Sequence, residues 1–266
     1  MSPAILLAVA LLSAGLSWIL VAIVRDLAVR RGLLDMPNPR SSHARPTPRL
    51  GGLGLIAAIL AATALAGALG ADVGQAPTLV ALGLSVALVS LVDDVRGLPV
   101  LARLAVHLGA GAAAVVTLGP LDVIRNLGIA DPQTALTLDR GLTILWIAGF
   151  MNAFNFMDGI DGIAAGQGAV AGAATASIGW MLDVPALTVL GTAQAAACLG
   201  FLRHNWPPAT IFMGDAGSAF LGFLIAAAPI AAPTTAAPPY GLFAFAMLVW
   251  PFVFDTTLTF IRRATR

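Results

Sequence analysis

Residues 77–94 have the sequence PTLVALGLSVALVSLVDD, an apolar run that ends in two adjacent carboxylates. A helix of about 20 apolar residues crosses the hydrocarbon core of a bilayer. The pattern therefore predicts a membrane-spanning helix whose last turn carries Asp93 and Asp94. Because an ionised carboxylate is costly inside lipid, we expect the pair to lie where this helix leaves the hydrocarbon.

The rest of the chain has the same apolar character. Hydrophobic residues make up 59% of the 266 residues and charged residues only 10%, which is too apolar for a water-soluble domain. The cations are scattered between apolar runs and form no basic stripe, so nucleic acid is excluded as a partner. Further helices are predicted wherever an apolar run approaches the length of a span, at 3–24, 51–71, 77–92, 100–119, 141–157, 162–182, 184–202, 217–233 and 238–260. We predict an all-α, polytopic transmembrane bundle of about nine spans, forming a single domain over residues 1–266.

The arginines predict how this bundle is oriented. The connection from residue 25 to residue 49 carries six of them, and cytoplasmic loops are the ones enriched in Lys and Arg. The N-terminus is then periplasmic and the C-terminus cytoplasmic. Of the 14 arginines, only Arg125 and Arg140 fall on the external side. Segment 119–140, which is rich in Pro and Asp, is predicted to be an external surface loop that could contain a short hairpin.

Carboxylates gather at the predicted cytoplasmic ends of the spans. An ionised acid near lipid needs water, an arginine or a cation, and a divalent cation with a phosphorylated ligand would balance several acids at once. For the first pair, a solvated helix end paired with Arg96 is the alternative. The five acids at these ends are Asp93, Asp94, Asp158, Asp161 and Asp215.

A polar residue recurs every third position from Asn152 to Asp161, through Asn155 and Asp158. At 3.6 residues per turn, this spacing places the four side chains along one side of a helix. Two amides can hydrogen-bond a ligand, and two carboxylates can bind a cation. A calcium loop has similar spacing, but it needs a bidentate Glu that is absent here.

Two loops complete the predicted site. Gly214, Gly217 and Ser218 surround Asp215 at the start of a span, which predicts backbone amides facing an anion beside a carboxylate that binds Mg²⁺. The alternative is an interhelical turn in which Asp215 is the N-cap. In the loop 35–52, arginine and histidine could hold phosphates or simply set the topology.

Four separated blocks of this sequence together resemble the polyprenyl-phosphate N-acetylhexosamine-1-phosphate transferases, a family that includes the phospho-muramoyl-pentapeptide translocases. The resemblance implies a bacterial inner-membrane protein with its site at the cytoplasmic face. It also implies UDP-N-acetylhexosamine and polyprenyl phosphate as substrates, UMP as product, and Mg²⁺ or alternatively Mn²⁺ as cofactor. The lipid bilayer and a homodimer are the other partners expected. The blocks are Asp35-x-Pro37-Asn38-x-Arg40-x-x-His43 through Gly51-Gly52, Asp93-Asp94, Asn152-x-x-Asn155-x-x-Asp158-Gly159-x-Asp161-Gly162, and Phe212-Met213-Gly214-Asp215-x-Gly217-Ser218.

The resemblance also implies a role for each matching residue. One member of the Asp93 and Asp94 pair is expected to receive the proton of the lipid phosphate. The residues predicted to be catalytic are Asp93, Asp94, Asp158 and Asp161. Those predicted to bind substrate are Asn152, Asn155, Arg40, His43, Arg45, Thr47, Asn205 and Gly214. Those predicted to bind the metal are Asp215 and Asp94.

One departure and two other functions remain open. The family is expected to carry a histidine-containing loop after the last span, whereas these residues stop at Arg266, so we expect a partial sequence. A transporter or lipid flippase is the main alternative function, but transporters bind near the membrane midplane and these acids lie at one face. A phosphatase would need a His or Cys nucleophile pattern.

Overall fold

The computed structural model describes residues 1–37, 45–232 and 240–264. A two-stranded antiparallel ribbon, β1 (Leu34–Asp35) and β2 (Thr47–Pro48), pairs Leu34 with Pro48. A 3₁₀ turn, Ala228–Ala231, continues the ninth helix. The helices are α1 (Pro3–Arg30), α2 (Gly52–Ala68), α3 (Ala76–Arg96), α4 (Val100–Leu118), α5 (Val123–Leu127), α6 (Pro132–Met157), α7 (Ile163–Met181), α8 (Pro185–Asn205), α9 (Asp215–Ala227) and α10 (Tyr240–Ala264).

Each apolar run predicted from the sequence coincides with one of these helices. In the described ranges, α1, α3, α4 and α8 are long and apolar enough to cross a membrane, and α2 and α9 are shorter apolar helices. Large apolar side chains such as Leu11 on α1 and Val116 on α4 are exposed, as expected for a surface that faces lipid. The chain is therefore a multi-pass helical membrane protein, while the number of spans and the orientation stay predictions.

Helices α8 and α9 form the centre of the bundle. Helix α8 packs against α1, α2 and α7, and the buried helix α9 packs against α3 and α6. Two serines of α1 donate to carbonyls of α8: Ser13 Oγ to Ala193 O at 2.7 Å and Ser17 Oγ to Ala197 O at 2.8 Å. Such interhelical hydrogen bonds and small side chains allow close packing where lipid provides no hydrophobic driving force.

The prediction of a surface loop over 119–140 is wrong. Helix α5 and the first turns of α6 occupy most of this segment. Asp131 caps α6 by accepting from the amides of Gln133 and Thr134, each at 3.1 Å, and Pro132 follows at the first helical position. Aspartate and proline here begin a helix, and residues of these types also favour turns, which misled the prediction.

The helix ends meet in two groups. At one end of the bundle, which we call the site end, the C-termini of α3, α6 and α8 meet the N-termini of α2 and α9. Asp215 N bonds Asp94 Oδ1 there at 3.0 Å, and Gly51 N bonds Phe212 O at 2.9 Å. At the far end, Met1 and Asp183 line one small pocket. Successive helices run alternately towards one end and the other, which brings distant parts of the sequence together at the site end.

Candidate active site

Asp94 joins the end of α3 to the beginning of α9. Its Oδ1 accepts from Asp215 N and its Oδ2 from Ala216 N, both at 3.0 Å. The first amides of a helix have no partner within the helix and carry the positive end of its dipole, so a buried carboxylate is stabilised there. Asp94 therefore acts as a cap from a different helix.

This cap overturns the prediction that the amides around Asp215 face a substrate anion. Asp94 occupies the amides of Asp215 and Ala216, while those of Gly217 and Ser218 bond Gly214 O, each at 3.1 Å. The alternative with Asp215 as N-cap is also wrong, because Asp215 is the first helical residue and Gly214 precedes it as the cap.

Gly214 is required by its backbone conformation and by its neighbour. Its φ is +79°, and a Cβ on it would lie 3.1 Å from Asp94 Oδ2. Only glycine adopts such a φ without strain. Gly214 thus lets the segment before α9 approach Asp94, and it also lines the cavity described below.

The loop before α2 is held against the same segment. The amides of Gly51 and Gly52 donate to the carbonyls of Phe212 and Met213, each at 2.9 Å. A Cβ on Gly52 would lie 2.4 Å from Gly217 Cα, so the two backbones are in direct contact. This packing carries Arg49 to the edge of the cavity.

Asp93 faces a different partner. Its Oδ1 accepts from Leu98 N, and its Oδ2 lies 3.4 Å from Arg103 Nε. Arg103 Nη1 also lies 3.9 Å from Asp215 Oδ2. A solvated helix end paired with Arg96 is therefore wrong: Asp93 and Asp94 are buried, and the cation beside Asp93 comes from α4.

Helix α6 ends before the acids of its polar stretch. Its last residue is Met157, so the prediction that four polar side chains stack on one helix is wrong. Asn155 is helical and its Oδ1 accepts from Ser218 Oγ at 3.0 Å. Asp158 and Asp161 lie in the turn before α7, and Asp161 Oδ2 accepts from Ala209 N at 2.9 Å. The chain turns here and directs the two acids towards the segment before α9.

Asn205 holds this turn in place. Its Oδ1 accepts from Gly162 N and its Nδ2 donates to Ile211 O, each at 3.0 Å. The side chain is buried, and both of its polar atoms bond backbone groups. Its contacts support a positioning role, and its predicted contact with substrate stays a prediction.

These elements enclose a cavity of about 340 Å³, which we call the acid cavity. Asn155, Asn205 and Gly214 contribute to its wall, and Arg49 is the one cation among the described residues that line it. Its volume is within the range of small-molecule sites. The carboxylates that line it are Asp35, Asp94, Asp158, Asp161 and Asp215.

The acids of the cavity are close enough to repel one another. Burial raises the pKa of Asp158 well above its usual value, and the charges of Asp215 and Asp94 raise this pKa further. Like charges disfavour the ionised form of their neighbours, and an added cation reverses that effect. The cavity is therefore suited to a cationic ligand or to a ligand that brings a cation with it.

Mg²⁺ fits the donors of the acid cavity. In the described part of the chain, no group of three or more His, Cys, Asp or Glu side chains forms a ready cage for a metal ion. However, Mg²⁺ is usually bound by one or two carboxylates together with substrate phosphates and water. Asp215 and Asp158 would supply those carboxylates, whereas both oxygens of Asp94 already accept amides.

The other predicted substrate residues are spread more widely. Asn152 does not line the acid cavity; it lines a second one between α4 and α6. Thr47 is buried and its hydroxyl donates to Arg45 O at 3.0 Å, while the Arg45 side chain is exposed. Arg40 and His43 lie outside the described residues.

Three residues of the site were missed as site residues in the sequence. Asp35 and Arg49 line the acid cavity, and Arg103 lies between Asp93 and Asp215. Asp35 opens the first matching block, and Arg49 lies two residues before its closing glycines. Their positions within that block were the available signal. Arg103 lies in the first turn of α4, after the loop that follows the acid pair. Its position in the sequence gives no sign that it contacts these acids.

Comparison with known proteins adds a family and several relatives. The model of glycosyl transferase family 4 matches residues 76–232. A decaprenyl-phosphate N-acetylglucosaminephosphotransferase of Mycolicibacterium smegmatis is 36% identical over 276 residues, covering 90% of this chain and 66% of the relative. A probable undecaprenyl-phosphate N-acetylglucosaminyl 1-phosphate transferase of Bacillus subtilis is 31% identical over 251 residues, covering 92% and 68%.

A phospho-N-acetylmuramoyl-pentapeptide-transferase of Halalkalibacterium halodurans is similar over a shorter stretch. It is 42% identical over 118 residues, which cover 41% of this chain and 36% of the relative. The chain spans 63–68% of the length of four mycobacterial relatives that are named decaprenyl-phosphate N-acetylglucosaminephosphotransferases.

Proposed function

This chain belongs to glycosyl transferase family 4, and from that membership we propose that it transfers N-acetylhexosamine-1-phosphate from a UDP-sugar to a polyprenyl phosphate. The relatives whose names describe such transfers support the proposal. The observation that carries it is the convergence of Asp94, Asp158 and Asp215, from three separate helix ends, on one cavity.

The proposed reaction exchanges one phosphoric anhydride for another. An oxygen of the polyprenyl phosphate attacks the phosphorus that carries the sugar, and a new P–O–P bond forms. The bond between this phosphorus and the oxygen of the uridine-bearing phosphate breaks, and the electron pair leaves with UMP. Several negative charges meet in this step, so catalysis depends on positioning and on charge neutralisation.

Different residues of the acid cavity would bind the metal, bind the phosphate and position the other side chains. Asp158 and Asp215 would hold Mg²⁺, which when bound neutralises charge on the diphosphate. Arg49 would bind a phosphate oxygen of the UDP-sugar, since a guanidinium suits such contacts. Asp94 positions Asp215 through the amides of α9.

Asp93 is the better placed of the acid pair to accept the proton of the lipid phosphate. Its Oδ2 is buried, accepts no backbone amide and lies 3.4 Å from Arg103 Nε, whereas both oxygens of Asp94 accept amides. A general base must reach the proton that it removes. Asp93 would therefore accept the proton of the lipid phosphate, and Asp94 would keep Asp215 in position.

We place the acid cavity at the cytoplasmic face of a bacterial inner membrane. Arg25, Arg30, Arg31 and Arg203 lie on helices or turns that reach the site end. Cytoplasmic loops carry the excess of such residues. UDP-sugars are charged and reach the cavity only from an aqueous compartment, which is consistent with an opening at a helix end.

The experiment uses membranes that contain the chain, undecaprenyl phosphate, Mg²⁺ and UDP-N-acetylglucosamine. We expect release of UMP together with a lipid-linked sugar phosphate, and loss of both in Asp215→Asn and with excess chelator. A panel of other UDP-N-acetylhexosamines then identifies the preferred sugar. If no sugar of the panel gives a lipid-linked product, or if Asp215→Asn keeps full activity, the proposed reaction is wrong.

A further inference from the structure

Helices α1 and α8 form a parallel pair. The hydrogen bonds from Ser13 and Ser17 to carbonyls of α8 advance along both helices in step, so both helices run towards the site end. The Nε2 atom of His204 lies 2.9 Å from Trp18 O, which places the last turn of α8 level with Trp18. Helix α1 continues for about three further turns and ends at Arg30. The two helices therefore leave the membrane side by side.

Exposed side chains form a stripe on each helix of this pair. On α1, Leu11, Trp18 and Arg25 recur at intervals of seven residues, which keeps them on one side of the helix. On α8, Leu199 and Arg203 are four residues apart and are likewise neighbours on one side. Leu11 is 66% exposed, Trp18 is 53% exposed and Leu199 is 60% exposed. Arg203 is also exposed, and Arg25 is partly exposed.

The two stripes lie on the same side of the helix pair. Trp18 follows Ser17, which contacts α8, by one position. Arg203 precedes His204, which contacts α1, by one position. Because the helices are parallel, one step of about 100° forward on α1 and one step back on α8 lead to the same side. The charges of Arg25 and Arg203 both act on His204, which agrees with this placement. We call this surface the α1–α8 face, and its members are Leu11, Trp18, Arg25, Leu199, Arg203 and, directly after α8, Trp206.

The arginines leave positive charge on the α1–α8 face. Arg25 donates to Asp26 Oδ1 through Nε at 3.1 Å and through Nη2 at 3.0 Å. Asp26 is its sequence neighbour and is 60% exposed, and an exposed pair of this kind contributes little. Arg203 forms no ion pair with any residue that the structure describes. A phosphate between the two arginines would be bound by two guanidinium groups.

The rest of the α1–α8 face is suited to a lipid. Leu199 lies one turn before Arg203, and Leu11 lies about two turns before Trp18, so both leucines are nearer the middle of the bundle than the arginines. Trp18 and Trp206, which is 68% exposed, lie near the level of Arg203. Tryptophan is enriched at the level of lipid head groups. A soluble anion gains nothing from these side chains, whereas a phosphate with acyl chains would contact all of them.

We infer that the α1–α8 face binds an anionic phospholipid such as phosphatidylglycerol, whose phosphate contacts Arg25 and Arg203. Its acyl chains lie over Leu11 and Leu199. None of these residues lines the acid cavity, so this lipid is not a substrate and the inference does not depend on the proposed function. Asn205, which holds the turn before α7, follows Arg203 by two residues. A bound lipid would therefore restrain the end of α8 that positions this turn.

The test compares two lipids that share their acyl chains and differ in head-group charge. Phosphatidylglycerol or phosphatidylcholine is added to the full chain in a mild detergent while thermal unfolding is followed. We expect the wild type to bind phosphatidylglycerol at least about tenfold more tightly. The double variant Arg25→Gln/Arg203→Gln should lose this preference. Arg30→Gln removes an exposed charge from a different side of α1; it is the matched control and should keep the preference.

A single variant guards against misfolding of the double variant. Arg203→Glu reverses the charge at one exposed position and should also abolish the preference. Equal binding of the two lipids by the wild type would overturn the inference. A loss in Arg30→Gln as large as that in the double variant would overturn it too, because the attraction would then belong to the whole charged surface. Glycerol phosphate tests a soluble source of the same head group and should give no stabilisation; stabilisation equal to that by phosphatidylglycerol would contradict the role of the chains.

UMP, titrated into the same variants, reports on the acid cavity. Its binding should stay within about twofold of the wild-type value, because neither arginine lines that cavity. Weaker UMP binding in the double variant with an unaltered lipid preference would assign the arginines to the acid cavity and contradict the inference. Failure of the proposed function has a different signature: UMP and UDP-sugars then fail to stabilise the wild type, while the response to phosphatidylglycerol is kept.

Discussion

Two adjacent aspartates of this chain have different environments. Side chains one residue apart on a helix point about 100° apart, so Asp94 meets the amides of α9 while Asp93 meets Arg103. Both side chains are carboxylates, but they contact different partners, so we expect them to have different roles. Substitution at each position should therefore affect different properties.

For Asp94→Asn we expect both stability and activity to fall. The amide NH₂ would face one of the two backbone N–H groups now bonded at 3.0 Å, which leaves a buried donor unsatisfied at a cost of about 1–3 kcal/mol. Thermal unfolding in detergent measures the first effect, and UMP release should fall by about 100-fold because Asp215 loses its position. Asp183→Asn, at the exposed far end, is the control and should change neither. Unaltered stability of Asp94→Asn would contradict the capping role.

For Arg49→Ala we expect the KM for the UDP-sugar to rise by about tenfold, because a charge-assisted contact to a phosphate is removed. The kcat should fall less than the KM rises. Steady-state UMP release at varied UDP-sugar concentration measures both constants. Arg31→Ala removes an equivalent charge from the exposed end of α1 and should leave the KM unaltered. A similar rise in both variants would show a general electrostatic effect.

Helix ends determine the local structure at both ends of the bundle. At the site end, a carboxylate of α3 caps α9, and at the far end a carboxylate of α6 binds the start of α5. Asp139 is buried and accepts from Ile124 N at 2.7 Å and from Arg125 N at 3.2 Å. A buried carboxylate that accepts from the first amides of another helix thus supports the proposed site at one end and the fold at the other.

Asp139→Ala should therefore reduce stability without reducing the activity of the folded molecules. Two amides of α5 would lose their acceptor, and each unsatisfied group costs about 1–3 kcal/mol. Chemical or thermal unfolding measures this loss, and UMP release is normalised to folded protein. The neighbouring variant Arg140→Ala, at an exposed position, should be neutral. Loss of specific activity in Asp139→Ala would mean that the far end is coupled to the site.

The alternation of the long helices places all five acids of the acid cavity at one end of the bundle. If the proposed orientation is correct, that end faces the cytoplasm and the far end faces the periplasm. The buried thiol of Cys198 can be removed to leave a background without cysteine. Single new cysteines then report the side of each end.

We expect Gln75→Cys, at the far end, to react with a membrane-impermeant maleimide in intact spheroplasts. Arg31→Cys, at the site end, should react only after the membrane is permeabilised. Both positions are exposed, so access to the thiol is equal apart from the membrane. Mass-tag shifts on a gel measure the labelling. The reverse pattern would invert the orientation and contradict a cytoplasmic site.

Much of this architecture follows from the sequence alone. Apolar runs predicted nine of the ten described helices, because the cost of exposing backbone groups to lipid leaves few other structures for such runs; the short helix α5 was missed. The four polar blocks predicted the family. They also led us to expect that acids from distant segments share one face of the membrane. These features depend on composition and order along the chain, which can be seen without coordinates.

The partners of each polar side chain were decided by packing. The sequence did not indicate that Asp94 caps α9, that α6 ends at Met157, or that Arg103 separates Asp93 from Asp215. Each of these contacts joins elements that are far apart in the chain, and its energy depends on burial and on distances of about 3 Å. Composition and order determine which residues are available for such contacts, whereas the close approach of helix backbones determines which of them meet.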